Sequence, residues 1–377
     1  MLERYETDLE SLAARDRLRA LAPRAGLDFA SNDYLALAES RELAEAAAAA
    51  LARGVPVGAG GSRLLRGNHP EHEALEVEAA RFFQAESALF FGAGFSANEA
   101  LLATLPQRED CIFHDALIHA SAHDGMRLSR ASRASFPHND VGALEDAIGG
   151  WRARGGKGRA WIAVESLYSM DGDAAPLDAL MALADRCEAF LLIDEAHATG
   201  VYGAGGRGLA ASFEGRENVI SVHTCGKALG VSGALVCLAS PLRKFLVNRC
   251  RNFIFATAPS PFVAACVRAS LKIVKSAEDR REALRARVAL AGRELQRLCN
   301  VAPSGSQIQP IVVGPDSLAM SLAARMRARG YDIRAIRPPT VPEGTARLRL
   351  SLTLHASEAQ IERVIGDLAQ ELAKAGA

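Results

Sequence analysis

Several features that would commit a chain to a specialised class are scarce or missing here. Aromatic residues make up 6% of the sequence, and Trp occurs only twice. The seven cysteines, at 111, 187, 225, 237, 250, 266 and 299, are odd in number and include no CxxC pair. That pattern argues against both a disulfide framework and a structural zinc site, and no metal is expected. Charge of one sign is not in excess: 44 Lys and Arg face 44 Asp and Glu, so no broad attraction toward nucleic acid or anionic lipid is available. No apolar run is long enough to cross a bilayer. The opening segment MLERYETDLESLAARDRLRAL is charged and amphipathic, so neither export nor membrane insertion is expected and a cytoplasmic location is.

What is present is ordinary globular composition, 49% hydrophobic and 23% charged over 377 residues, which allows one large domain and a smaller companion. The pattern suggests an arm over 1–36, a large domain over 37–272 and a C-terminal domain over 273–377. Leu2 to Leu21 reads as one amphipathic helix, followed by a short alternating run from Leu27 to Ala30 and the turn Ser31-Asn32-Asp33. From Ala88 to Ala239, β-rich runs such as ALFFG, CIFHD, RAWIAVES, AFLLIDEAH and VISVHT alternate with helical patterns. Alternation of this kind predicts an α/β fold, a mostly parallel sheet with helices on both faces. Beyond Pro241 come charged helices, including one run from Ile273 to Cys299, and strands near QIQPIVVG, YDIRAI and ARLRLSLT; a smaller α+β unit is the simplest reading.

The segment Phe190-Leu-Leu-Ile-Asp194-Glu-Ala-His197 is an apolar strand that ends in an aspartate, with a histidine three residues on. Ligands sit at the carboxyl ends of parallel strands, so Asp194 and His197 are candidates to face a site; the alternative is a helix cap and a surface histidine. Lys227, in Thr224-Cys-Gly-Lys227-Ala-Leu-Gly230, has small and apolar company where surface lysines usually have charged company. Burial there would free its amine as a nucleophile, although a snorkelling structural lysine fits the same letters. An aspartate for a pyridinium nitrogen and a lysine for an aldehyde are the groups that pyridoxal phosphate asks of a protein. Gly92-Ala-Gly94-Phe95-Ser96 follows a strand and opens a helix, so the free amides of Gly94, Phe95 and Ser96 can meet a phosphate, with Thr224 as a further contact; a plain glycine turn is the alternative. His119 and His123 sit four apart after the strand CIFHD, where one imidazole can stack on a planar cofactor; a metal site lacks a completing ligand. Ser169 lies just past RAWIAVES and can reach the same sheet edge, or simply make a turn. The loop GAGGSRLLRGNHP carries Arg63 and Arg66 among glycines, a composition suited to meeting an anion. Gly203-Ala-Gly205-Gly-Arg-Gly208 matches GxGxxG, but it does not follow a strand directly as a dinucleotide site requires.

Taken together, SNDYLAL, GAGGSRLLRGNHPEHEALE, HASAHDG, SMDGD, DEAHATGVYGAGGRG and TCGKALGVSGA resemble, in order and spacing, the α-oxoamine synthase family of fold-type I pyridoxal-phosphate enzymes. The resemblance runs nearly end to end. It implies a large domain with a mostly parallel seven-stranded sheet, a small α+β domain, an N-terminal helical arm, and a homodimer with the loop Gly58 to Asn68 near its interface. By the same resemblance, Lys227 bonds the cofactor aldehyde, Asp194 faces the pyridine nitrogen, His197 the ring oxygen and His119 the ring face. Gly94 and Phe95 then lie at the phosphate, with Ser169 and Thr224 among the remaining cofactor contacts. Ala335-Ile-Arg337-Pro-Pro-Thr340-Val-Pro is similar to the branch that joins L-alanine to a pimeloyl thioester, on coenzyme A or acyl carrier protein, in biotin synthesis. On that branch Arg337 would hold the amino-acid carboxylate, with Thr340 and Asn32 on the substrate side. An N-terminal arginine near the thioester is also implied, with Arg17 and Arg19 both candidates.

Overall fold

The computed structural model describes residues 1–376. It divides into two compact units: a larger one over Leu35–Ser169 and Ala174–Arg281, and a smaller one over Met1–Tyr34, Met170–Asp173 and the chain from Glu282 onward. The N-terminal residues therefore cluster with the C-terminal segment, whereas the sequence reading drew its lines at 36/37 and 272/273.

The larger unit is built on seven strands: β1 (Ser87–Phe91), β2 (Cys111–Asp115), β3 (Ser132–Phe136), β4 (Ala160–Glu165), β5 (Phe190–Asp194), β6 (Val219–Thr224) and β7 (Ala234–Leu238). Their order across the sheet is β1-β7-β6-β5-β4-β2-β3. Only β7 runs against its neighbours; the remaining pairs are parallel. Every residue of β2, β4 and β6 is buried, as expected where helices cover both faces. The period of two then divides each strand between two cores. Trp161 and Ala163 of β4 join Ile112, Leu192, Ile220 and Val236 on one face. Ile162 and Val164 join Phe113, Leu191, Ile193 and Val219 on the other. A one-residue slip would exchange these sets, so the register is strongly fixed.

Two helices differ from their sequence expectations. The run toward Cys299 is broken into Pro261–Ser276 and Glu278–Cys299. The buried Arg281 guanidinium donates to the Val274 carbonyl at 2.8 Å, capping the first helix where periodicity alone reads on. The N-terminal helix spans Glu3–Ala14 rather than reaching Leu21. It stops because Asp16 takes a positive φ of 56° and the Arg17 amide turns back to the Leu12 carbonyl.

In the smaller unit, Ile308–Gly314, Arg334–Ile336 and Ala346–Ser351 form an antiparallel sheet with Ala346–Ser351 central. Leu27–Asp28 pairs in parallel with Tyr331–Asp332. That strand is shorter than expected because the Asp28 carboxylate accepts from the Ala30 and Ser31 amides, folding the chain into a turn.

Candidate active site

The parallel strands of the larger unit deliver polar residues to one edge. Asp115, Glu165, Asp194 and Thr224 are the last residues of β2, β4, β5 and β6, and all four are buried. A carboxylate in that position needs donors, and Asp194 has them. Asn98 donates through Nδ2 to Asp194 Oδ2 at 2.6 Å, and the Ala196 amide donates to Oδ1 at 2.8 Å. Asn98 comes from the helix Gly94–Thr104, which thus supports the end of β5.

The same amide nitrogen lies 3.0 Å from Ser121 Oγ. Ser121 Oγ is in turn 2.8 Å from His119 Nδ1, which also accepts from the Ser121 amide. With Nδ1 an acceptor, the neutral His119 ring carries its proton on Nε2. Loss of hydration among the packed residues pushes this imidazole below its ordinary range, and Lys227 adds in the same direction while Asp194 opposes. A relay Asp194–Asn98–Ser121–His119 results. Asn98 and Ser121 were not singled out in the sequence. The signal available was a polar residue on an otherwise apolar helix face, at the buried position 98 of ANEALLAT.

Lys227 departs from β6 in a tight loop: the Cys225 amide bonds Gly233 O, Val231 bonds Cys225 O, and Gly230 bonds Lys227 O. Gly230 is required there, since φ is +66° and a Cβ would lie 2.5 Å from the Ala38 amide nitrogen. The half-buried Lys227 amine sits 2.7 Å from Nε2 of the buried His197. The two residues singled out for their spacing after β5 and β6 therefore meet.

At the helix that starts with Gly94, the first intrahelical bond runs from the Ala97 amide to Ala93 O, leaving the Gly94, Phe95 and Ser96 amides at the positive helix end. A Cβ on Gly94 would lie 3.2 Å from Thr224 Oγ1. The glycine thus keeps the helix terminus clear of the hydroxyl, so that amides and hydroxyl can donate to one phosphate. Phe95 packs edge-on to His119 with ring centroids 6.3 Å apart. Ser169 is buried and its amide donates to Glu165 Oε2 at 3.0 Å. Glu165, which the sequence reading passed over, is a buried acid whose Oε1 has no partner. Burial first, and then the Asp194 charge, push its carboxyl up to about 8. The set of acceptor, amine, imidazole and anion cradle fits pyridoxal phosphate.

Two glycine-rich loops serve their own fold. In the GxGxxG segment, the Leu209 and Ala210 amides donate to the buried Glu195 carboxylate, and a Cβ on Gly208 would lie 2.1 Å from Glu195 Oε2. In the loop carrying Arg63, that guanidinium is buried against Asn68 and Glu76, each at 2.7 Å. Its charge is therefore matched internally, which corrects the expectation that it meets an external anion.

The substrate-side candidates lie in the smaller unit. Asn32 Oδ1 accepts from Tyr34 OH at 3.0 Å and from Arg349 Nη2 at 3.1 Å. Arg349 is buried on the central strand and also donates to Ser351 Oγ; it was not among the expected residues. Arg337 donates to the backbone carbonyl of Asp16. Thr340 is exposed and its amide bonds Arg337 O. Arg17 is engaged by Asp316 at 2.6 Å and by both oxygens of Glu343, while Arg19 is exposed.

The model of aminotransferase class I and II matches residues 24–368. An 8-amino-7-oxononanoate synthase of Chromobacterium violaceum is 42% identical over 345 residues, 91% of this chain and 88% of the relative. The chain belongs to the α-oxoamine synthase family within that class. It is therefore an enzyme of a pyridoxal-phosphate-dependent acyltransferase family. Among solved structures, an 8-amino-7-oxononanoate synthase from Francisella tularensis has a TM-score of 0.79 at 29% identity, covering 93% of this chain and 99% of that one. A serine palmitoyltransferase with pyridoxal phosphate has a TM-score of 0.90 at 25% identity, covering 100% and 99%. These likenesses establish the fold-type I architecture seen in the seven-stranded sheet.

Proposed function

We propose that the chain condenses L-alanine with a pimeloyl thioester, releasing CO2 and the free thiol carrier and giving 8-amino-7-oxononanoate for biotin synthesis in the cytoplasm. The observation that carries this reading is the contact of Lys227 with His197 beside the Asn98-supported Asp194, in a chain whose similar relatives bear that enzyme's name. Pyridoxal phosphate, when bound, supplies the electron sink for charge developing at the amino-acid Cα.

The protein groups divide the remaining work. The Gly94 and Phe95 amides and Thr224 hold the phosphate, and Ser169 completes the cofactor contacts. Asp194 would keep a proton on the ring nitrogen, and His119 would cover the ring face. Lys227 would hold the cofactor aldehyde, and its free amine would serve as the base for the Cα proton. His197, 2.7 Å from Nζ, orients that amine and faces the ring oxygen. On the substrate side, Arg349 is a stronger carboxylate ligand than Arg337. It shares Asn32 and is buried, whereas Arg337 is committed to a backbone carbonyl. Arg19 is the freer of the two N-terminal arginines to meet the thioester, because Arg17 is held by two carboxylates. Thr340 and Asn32 line the substrate side.

In the first test, cofactor-loaded wild type shows a visible absorbance that Lys227→Ala lacks. Borohydride fixing the cofactor to one specific lysine of that variant would defeat the assignment. Offering alanine, glycine or serine with pimeloyl-CoA, pimeloyl-acyl carrier protein or other acyl-CoAs, and reading the product by mass, separates this reaction from the rest of the family. A homodimer is part of the proposal, and sedimentation of an active monomer would reject it.

A further inference from the structure

On the larger unit's sheet, away from the lysine, a second polar cluster is buried where strand sequences are otherwise apolar. Ser221 and His223 of β6 are two apart and share a face, and Ser221 stands directly opposite Cys237 of β7. Glu214 enters from the loop before β6. The ligand atoms of Glu214, His223 and Cys237 all lie within 4.8 Å of one another, and the three side chains are essentially removed from solvent. Phe83 stacks on the His223 ring at 3.6 Å and fixes its plane.

A proton or a metal ion can join the facing polar atoms of the cluster. The Thr199 hydroxyl lies 2.9 Å from the Glu195 carbonyl oxygen. It also lies 2.8 Å from His223 Nδ1: where it accepts there the ring proton is on Nδ1, and where it donates the ring proton is on Nε2. Ser221 gives its proton to Glu214 Oε1 at 2.5 Å. In the first arrangement His223 Nε2 points a lone pair at Glu214 Oε1, 3.1 Å away, and at Ser221 Oγ, 2.9 Å away; in the second it donates to them. Two acceptors facing each other in a buried site repel unless a positive centre lies between them.

We propose that Glu214, His223 and Cys237 form a binding site for a zinc-class divalent cation. The donor set is one such ions take: imidazole, thiolate and carboxylate, with Ser221 Oγ as the nearest fourth oxygen. Tetrahedral zinc holds its ligand atoms about 3.5 Å apart, so the present spacing needs adjustments of roughly 1 Å. A thiolate and a carboxylate balance the charge of the ion and leave the buried site neutral. The Nδ1–H bond to Thr199 is the outer contact that ordinarily orients a metal-bound histidine. The site ties β6 to β7 just before the chain leaves β6 for Lys227, so its role is to stiffen the lysine's support rather than to take part in the reaction.

Because the site is closed, the metal must enter as the chain folds. The holoenzyme is therefore produced in cells grown with added zinc or, for spectroscopy, cobalt, then dialysed. The expected result is about one zinc per chain, and a cobalt form with thiolate charge-transfer and tetrahedral bands. Both fall about tenfold in Cys237→Ser and in Glu214→Gln, with the cofactor's visible band as the check that each variant folds. The wild-type cobalt spectrum decides the matter even if neither variant folds. Metal well below one per chain, metal without a thiolate band, or a band that survives in Cys237→Ser would each overturn the site and leave a shared proton as the cation.

Discussion

Replacing Asn98 with alanine tests whether the helix Gly94–Thr104 orients Asp194, the carboxylate proposed to face the cofactor. The change removes a 2.6 Å charge-assisted hydrogen bond to Asp194 Oδ2 and a 3.0 Å bond to Ser121 Oγ. It leaves Asp194 with the Ala196 amide on its other oxygen, and it frees Ser121 from the relay to His119. A hydrogen bond to a charged group contributes about 1.5–3 kcal/mol, and a buried acceptor left unmet costs a similar amount. The cofactor-free protein is expected to lose about 2–3 kcal/mol of unfolding free energy. In the native protein, a carboxylate no longer held in one orientation must be ordered again by the ligand. The cofactor dissociation constant is therefore expected to rise by about 10- to 100-fold, at 1.4 kcal/mol per tenfold. Denaturant titration reads the first quantity, and visible-absorbance titration with pyridoxal phosphate reads the second. A dissociation constant within about twofold of wild type would refute the idea that Asn98 pre-orients Asp194.

Other perturbations separate the remaining roles. Gly94→Ala places a methyl 3.2 Å from Thr224 Oγ1; cofactor affinity is expected to fall about tenfold while unfolding free energy changes by less than about 1 kcal/mol, since alanine suits a helix. An equal loss in both would show that the cradle is merely packing. Arg349→Lys should raise the KM for the amino acid about tenfold or more and leave the cofactor band intact, with Arg337→Lys doing less; the reverse ranking would return the carboxylate to Arg337. Glu165, with its carboxyl pushed up from 4.5 to about 8, holds in the folded protein a proton that the unfolded chain releases. Stability is thus lost as pH rises from 4.5 through about 8, by up to about 1.4 kcal/mol per unit for this group. Glu165→Gln should therefore gain on wild type as pH rises, and a difference independent of pH would contradict the buried acid.

Local chemistry made much of this legible in the sequence. The apolar runs of β4 to β6 announce strands buried on both faces, and the residues ending them, Asp194 and Thr224, mark the sheet edge where ligands bind. Lys227 stands out by its company of small residues, and Gly94 by its place between a strand and a helix. Such signals are short-range: period, capping and backbone freedom act within a few residues of one another. Contacts that join distant segments left no comparable mark. Asn98 reaches Asp194 across 96 positions, Arg349 reaches Asn32 across 317, and Arg281 breaks a helix that periodicity would continue. The scattered cysteines argue against metal by spacing, yet Cys237 meets His223 and Glu214 because β7 pairs with β6 in one register. The sequence by itself determined most of the strands and helices and which strand ends carry polar candidates for chemistry. Only the tertiary structure decided which polar side chains share a buried site, because the free energy of a buried hydrogen bond or charge depends on the partner that folding brings beside it.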